Sequence, residues 1–140
     1  MIKLKLPYPV SANRYWQTRV IKPRATGKWT AMTYVSAEAK AYKSLVAWTA
    51  KAAGAKLIDG PIRLSLCLCP KRNKGGEASK VRLDLSNCIK VLEDALNGVA
   101  YADDKQVVEI NATIGPTAQD GAVYVTVEKF EYADFSLQIN

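Results

Sequence analysis

Leu83-Asp84-Leu85-Ser86-Asn87-Cys88-Ile89-Lys90-Val91-Leu92-Glu93-Asp94-Ala95-Leu96-Asn97-Gly98, followed closely by Tyr101-Ala102-Asp103-Asp104-Lys105-Gln106, reads as a helix with chemistry on one side. At about 100° per residue, Leu85, Ile89, Leu92 and Leu96 fall within a sector about 60° wide, an apolar stripe that should face a core. Asn87, Lys90 and Asp94 fall together on the opposite face. Asn97-Gly98 is a helix stop, because glycine adopts the left-handed conformation that closes a helix C-terminus. The acidic pair Asp103-Asp104 follows a few residues later, placed to fold back toward the helix surface.

Outside this stretch the chain divides into short elements. Ile2-Lys3-Leu4-Lys5-Leu6 alternates strictly, a first strand with its lysines outward, and Pro7-Tyr8-Pro9 ends it. Ser36-Ala37-Glu38-Ala39 opens a helix with serine as N-cap and an acid in the first turn. That helix runs to Ala53, is stopped by Gly54, and should pack through Tyr42, Leu45, Val46 and Thr49. Ile62 to Cys69 alternates again, with Ile62, Leu64, Leu66 and Leu68 inward and Pro70 as terminator. Gln106 to Ile114 and Ala122 to Glu128 are β-branched runs. Gly115-Pro116 and Asp120-Gly121 bracket the turn between them, which predicts an antiparallel hairpin. The tail from Tyr132 to Asn140 is expected to be loosely ordered or used in subunit contact. No repeat, linker or second domain is visible, so residues 1–140 should form a single α+β domain, its main helices on one face of a small mixed sheet.

Composition limits the function. A formal net charge of +7 and a pI near 9.4 point toward polyanions, nucleic acid before anionic membrane. The three cysteines, Cys67, Cys69 and Cys88, lack metal or redox spacing and read as reduced thiols, which suits the cytoplasm. No apolar run approaches the ~18 residues of a membrane span, and Met1 to Leu6 is not a signal peptide. Histidine is absent altogether. That excludes serine–histidine and cysteine–histidine triads, histidine-ligated zinc and histidine-based nucleases. Hydrolytic chemistry would then rest on carboxylates, lysine and a hard cation such as Mg²⁺.

Basic residues concentrate in two places. From Val10 to Tyr34 the chain carries Arg14, Arg19, Lys22, Arg24 and Lys28 interleaved with Tyr15, Trp16, Trp29 and Tyr34, with no acid before Glu38. This is a loop or long hairpin that is either a solvated arm or a DNA-contacting one, with cations on phosphates and an aromatic available to an unpaired base. Lys71 to Arg82 holds Lys71, Arg72, Lys74, Lys80 and Arg82 around Gly75-Gly76, a loop delivered straight into Asp84. Cations that gather phosphate are most useful beside carboxylates that hold a metal. Asp84 and Asp104 with Lys90 between them supply the parts of metal-assisted phosphodiester hydrolysis. The competing reading makes Asp84 an N-cap, Asp103-Asp104 turn formers and Lys90 a surface lysine.

Asp84-Leu85-Ser86-Asn87 with Lys90, then Asp94 to Gly98 and Asp103-Asp104-Lys105-Gln106-Val107, resembles the RusA family of Holliday-junction resolvases, endodeoxyribonucleases common in phages. Pro9 to Tyr15 is similar to that family's opening motif, and Val35-Ser36-Ala37-Glu38 to its first-helix entrance. The resemblance implies a homodimer that binds four-way DNA junctions and, with Mg²⁺, makes paired symmetric nicks. Residue by residue it implies Asp84 and Asp104 as metal-binding aspartates and Lys90 as the essential lysine. The family pattern commonly reads Asp-Leu-Asp-Asn, and here Ser86 replaces the second aspartate, a neutral and at best weak ligand. Glu93 lies on nearly the same helix face but roughly 10 Å further along. An arginine often precedes the first aspartate directly. Here Leu83 does, with Arg82 one position earlier. Two readings of different class follow: a junction-resolving endonuclease, or a junction-binding protein of the same fold with weak or lost cleavage. A ribonuclease or an unrelated RNA-binding module is the remaining alternative.

Overall fold

The computed structural model describes residues 1–72 and 85–132. Among the described residues, six strands and three helices follow the chain as β1 (Ile2–Leu6), α1 (Ala12–Tyr15), β2 (Trp16–Ile21), β3 (Thr30–Val35), α2 (Ala37–Ala52), β4 (Ile62–Cys69), α3 (Leu85–Leu96), β5 (Val107–Ile114) and β6 (Ala122–Lys129). A short 3-10 turn, Asp104–Gln106, precedes β5. Four strands form one mixed sheet in the order β1-β6-β4-β5, and β2 and β3 form a separate two-stranded ribbon.

Alternation in β1 and β4 becomes burial. Ile2, Leu4 and Leu6 point into the core with Ile62, Leu64, Leu66, Leu68, Val123, Val125 and Val127. Each such side chain, fully buried, contributes roughly 1.5–3 kcal/mol of hydrophobic stabilisation. Lys3 and Lys5 stay exposed on the other face, where Lys5 lies 5.9 Å from the Tyr124 ring it pairs with in register. The α+β class and the helices on one face of a mixed sheet are as the periodicities predict.

The expected hairpin between the last two strands does not form. β4 lies between β5 and β6, antiparallel to β6 (Leu64↔Val127) and parallel to β5 (Leu64↔Ile110). The chain from β4 to β5 therefore crosses over through α3, as a parallel pair requires. Two β-branched runs separated by turn residues are a hairpin signal only when the link is tight. Here the link is long and runs across the end of β4, where Ala118 N–H donates to Pro70 O at 2.9 Å and Arg72 N–H donates to Ala118 O at 3.0 Å. β4, the strand with the most complete apolar alternation, takes the interior position instead.

Both main helices are turned slightly from their expected faces. In α2 the buried side chains are Ala39, Tyr42, Val46 and Ala50, while Leu45 is 46% exposed. In α3 they are Cys88, Val91, Leu92, Ala95 and Leu96, with Leu85 and Ile89 only half-buried. Small residues cause both errors: alanine and cysteine look indifferent in a hydrophobic stripe but let helix and sheet approach closely. The ends are as expected. Ser36 caps α2, its hydroxyl accepting from Ala39 N–H at 3.1 Å, and Gly54 and Gly98 take positive φ at the two C-termini.

The basic arm resolves into α1 and the ribbon, paired from Trp16↔Val35 to Ile21↔Thr30. Ser36 closes its base by donating its hydroxyl to Arg14 O at 2.7 Å and its N–H to Tyr15 O at 2.9 Å. No ribbon residue is fully buried. The tail beyond residue 132 and the segment 73–84 lie outside the described residues.

Candidate functional site

The outer face of α3 carries Lys90, Glu93 and Asp94. What brings Asp104 beside them is the turn after the helix. Gly98 N–H donates to Tyr101 O at 2.7 Å, reversing the chain. The Tyr101 ring is wholly buried, and its hydroxyl donates to Glu93 O at 2.7 Å, stitching the returning strand to the last turn but one of α3. Asp103 then caps the 3-10 turn by accepting from Lys105 N–H at 2.9 Å. Gln106 completes the lock: its Oε1 accepts from the N–H of Ala102 at 2.9 Å and of Asp103 at 3.1 Å, while its Nε2 donates to Ile58 O at 2.8 Å and Gly60 O at 2.9 Å. The acidic pair therefore divides its roles. Asp103 is the turn former, as the competing reading had it, and Asp104 is carried to the helix.

Trp16, Lys90, Glu93, Asp94 and Asp104 line one cavity of about 380 Å³. The negative field there is visible in its neighbours. Burial, and next the Asp104 carboxylate, hold the Glu93 carboxyl above its ordinary value. Burial raises the Tyr101 hydroxyl too, helped by Glu93, Asp104 and Asp94 in turn. Asp94 is already committed: it accepts from the Tyr15 hydroxyl and pairs with Lys43 at 3.4 Å, tying α1 and α2 to α3. Lys90 is exposed and forms no ion pair among the described residues. A second cavity, of about 340 Å³ between residues 1–3 and 53–58, contains no acidic side chain and offers nothing comparable.

The sequence candidates fare unevenly. Lys90 and Asp104 come together as expected, joined by Glu93, Asp94 and Trp16. Asp84, Lys74, Lys80 and Arg82 lie outside the described residues. Ser86 is exposed and lies in the first described turn of α3. Arg14 is exposed and paired with Glu38 at 3.0 Å. Lys71 and Arg72 are exposed beside the link after β5, the Arg72 guanidinium 3.3 Å from the Thr117 hydroxyl. Glu93 entered the sequence reading only as a distant substitute for Ser86. Its signal was the helical spacing from Lys90, three residues earlier. Trp16 was one aromatic among several in the arm.

As to chemistry, Asp104 and Glu93 offer hard carboxylate oxygens, and the Glu93 carboxyl is raised first by burial and next by the Asp104 carboxylate, which fits an oxygen-loving divalent ion. Among the described residues alone, no three acidic or thiol side chains converge closely enough to hold one. No helix among the described residues is long and apolar enough to cross a membrane.

No curated protein matches the chain. The sequence profile of the family described as Endodeoxyribonuclease RusA matches residues 7–128, a span that contains the ribbon, both main helices and every lining residue of the cavity. That family's enzymes hydrolyse phosphodiester bonds in DNA and resolve Holliday junctions. With a match over most of its length, this chain belongs to the RusA endodeoxyribonuclease family.

Proposed function

We propose that the chain is a Mg²⁺-dependent, structure-specific endonuclease that acts as a homodimer on four-way DNA junctions and resolves them by paired symmetric nicks. The observation that carries this reading is the meeting of Lys90 and Asp104 in one cavity with Glu93. Asp104 and Asp84 would hold the metal, with Ser86 at most a weak ligand and Glu93 the better placed acidic neighbour of Asp104. The metal, when bound, polarises the scissile phosphate and lowers the pKa of a bound water. Lys90, on the same cavity, would balance charge developing on the phosphate. Arg14, Lys71, Arg72, Lys74, Lys80 and Arg82 are the phosphate contacts, with the basic ribbon, and their contribution should fade with added salt.

The test is a labelled, immobile four-way junction incubated with the full-length protein and Mg²⁺, then resolved on a denaturing gel. Symmetric nicks in opposing strands that vanish with chelator support the reading. The neutral Ser86 where the family commonly has an acid favours one rival, a protein that binds junctions but has lost cleavage. Tight junction binding without nicks at any Mg²⁺ or Mn²⁺ concentration would select it.

A further inference from the structure

We infer that Trp16 is the base-stacking wall of the cavity, so that the site takes one nucleotide of the cut strand with its base unpaired, and that this contact favours branched over linear DNA. The inference rests on the function proposed above and goes further, to which part of the substrate enters.

The cavity is chemically two-sided. Lys90, Glu93, Asp94 and Asp104 form a charged side suited to a phosphodiester and a metal, and the indole of Trp16 is the aromatic one. Its volume of about 380 Å³ is of nucleotide size. The indole is also held in place. Trp16 stands where α1 gives way to β2, with extended φ −102 and ψ 130, so its backbone enters the ribbon opposite Val35 while its ring stays at the site. The Tyr15 ring packs edge-on against it, centroids 4.4 Å apart, and wholly buried Tyr15 is anchored in turn by its hydroxyl to Asp94. The ring itself remains only half-buried, leaving surface for a ligand. A preset aromatic surface beside a phosphate site loses little entropy on binding.

The chemistry then selects for branch points. A base in an intact duplex must be unstacked and unpaired before it can meet Trp16, at a cost of a few kcal/mol, whereas a base at a crossover is already partly released. Stacking on an aromatic side chain is sequence-tolerant and corresponds to about a ten- to hundredfold change in affinity.

The experiment is a coupling measurement between side chain and base. The full-length protein and its Trp16→Ala and Trp16→Phe variants are titrated, in chelator, against junctions in which a single abasic nucleotide is walked through the positions flanking the branch point. Expected is one position where removing the base weakens wild-type binding about tenfold or more and leaves Trp16→Ala unaffected, with Trp16→Phe retaining part of the loss. Equal losses in wild type and Trp16→Ala at every position, or no loss in wild type anywhere, overturn the inference while leaving junction cleavage standing. A wild-type protein that neither binds nor cuts the intact junction overturns both. If Trp16→Ala melts well below wild type, the comparison of wild type with Trp16→Phe decides.

Discussion

Two groups of acidic side chains lie on opposite sides of the sheet, and the protein treats them differently. On the face away from the helices, Arg63 reaches both cross-strand neighbours, Glu109 at 2.9 Å and Glu128 at 3.3 Å. Its bond to Glu109, and next that from Asn111, hold the Glu109 carboxyl below its ordinary value. On the helix side, Glu93 and Asp104 line one cavity, and burial, with the Asp104 carboxylate next, holds Glu93 above its ordinary value. The nearest cations do not resolve this: Lys43 is spent on Asp94, and Lys90 pairs with neither. A carboxylate that serves the fold has its cation built in. A carboxyl raised by burial and by a neighbouring acid is held against the interest of stability, which is the pattern expected where a cation arrives from solution.

Four experiments would break or sharpen that contrast, beginning with the largest effect. Asp104→Asn should reduce junction cleavage by at least about a hundredfold, roughly 2.7 kcal/mol of barrier, while junction binding is kept or strengthened and the melting temperature does not fall. Gel assays and thermal melts on the same preparation check this, and retained cleavage would remove Asp104 from the site. Next, Arg63→Met should lower the melting temperature without changing the cleavage rate at low temperature, because it leaves Glu109 and Glu128, on the strands either side of β4, without their shared donor. A melting curve that did not move would mean the outer cluster is as dispensable as an ordinary surface pair.

Smaller effects follow from pH. The carboxyl of Glu93 is raised in the fold, so its contribution is most favourable while it is protonated and is lost as pH climbs through the raised value. Glu93→Gln should therefore stabilise the metal-free protein at neutral pH and make little difference in the acid range below the ordinary value of 4.5. Added Mg²⁺ should shrink or reverse that gain. The opposite sign holds for Glu109, whose carboxyl is lowered. Its contribution is present above 4.5 and disappears as pH falls through the lowered value, so Glu109→Gln should cost stability at neutral pH and nothing in strong acid. Parallel pH–melting profiles of the two variants should thus diverge in opposite directions as pH rises. If they ran together, the distinction between the two clusters would collapse.

By itself the sequence determined whatever depends on neighbours a few residues apart. The alternations of Ile2 to Leu6 and Ile62 to Cys69, the Ser36 cap, the α3 stop at Asn97-Gly98 and the placing of Lys90 on the face of α3 away from its apolar stripe are all local, set by strand and helix periods and by backbone preferences. The return of Asp104 toward that face was legible for the same reason, since few residues separate the helix end from the acidic pair. Tertiary structure alone decided that β4 separates β5 from β6, because strand partnership depends on which element competes best for the interior, and turn residues do not record that. It also decided which side of α2 is buried, where Ala39 and Ala50 approach the core and Leu45 is left out. Trp16 became a wall of the cavity that Glu93 and Asp104 line through contacts between segments far apart in the chain. Charge, burial and shape at that site are properties of the packed elements together, and no window of sequence contains them.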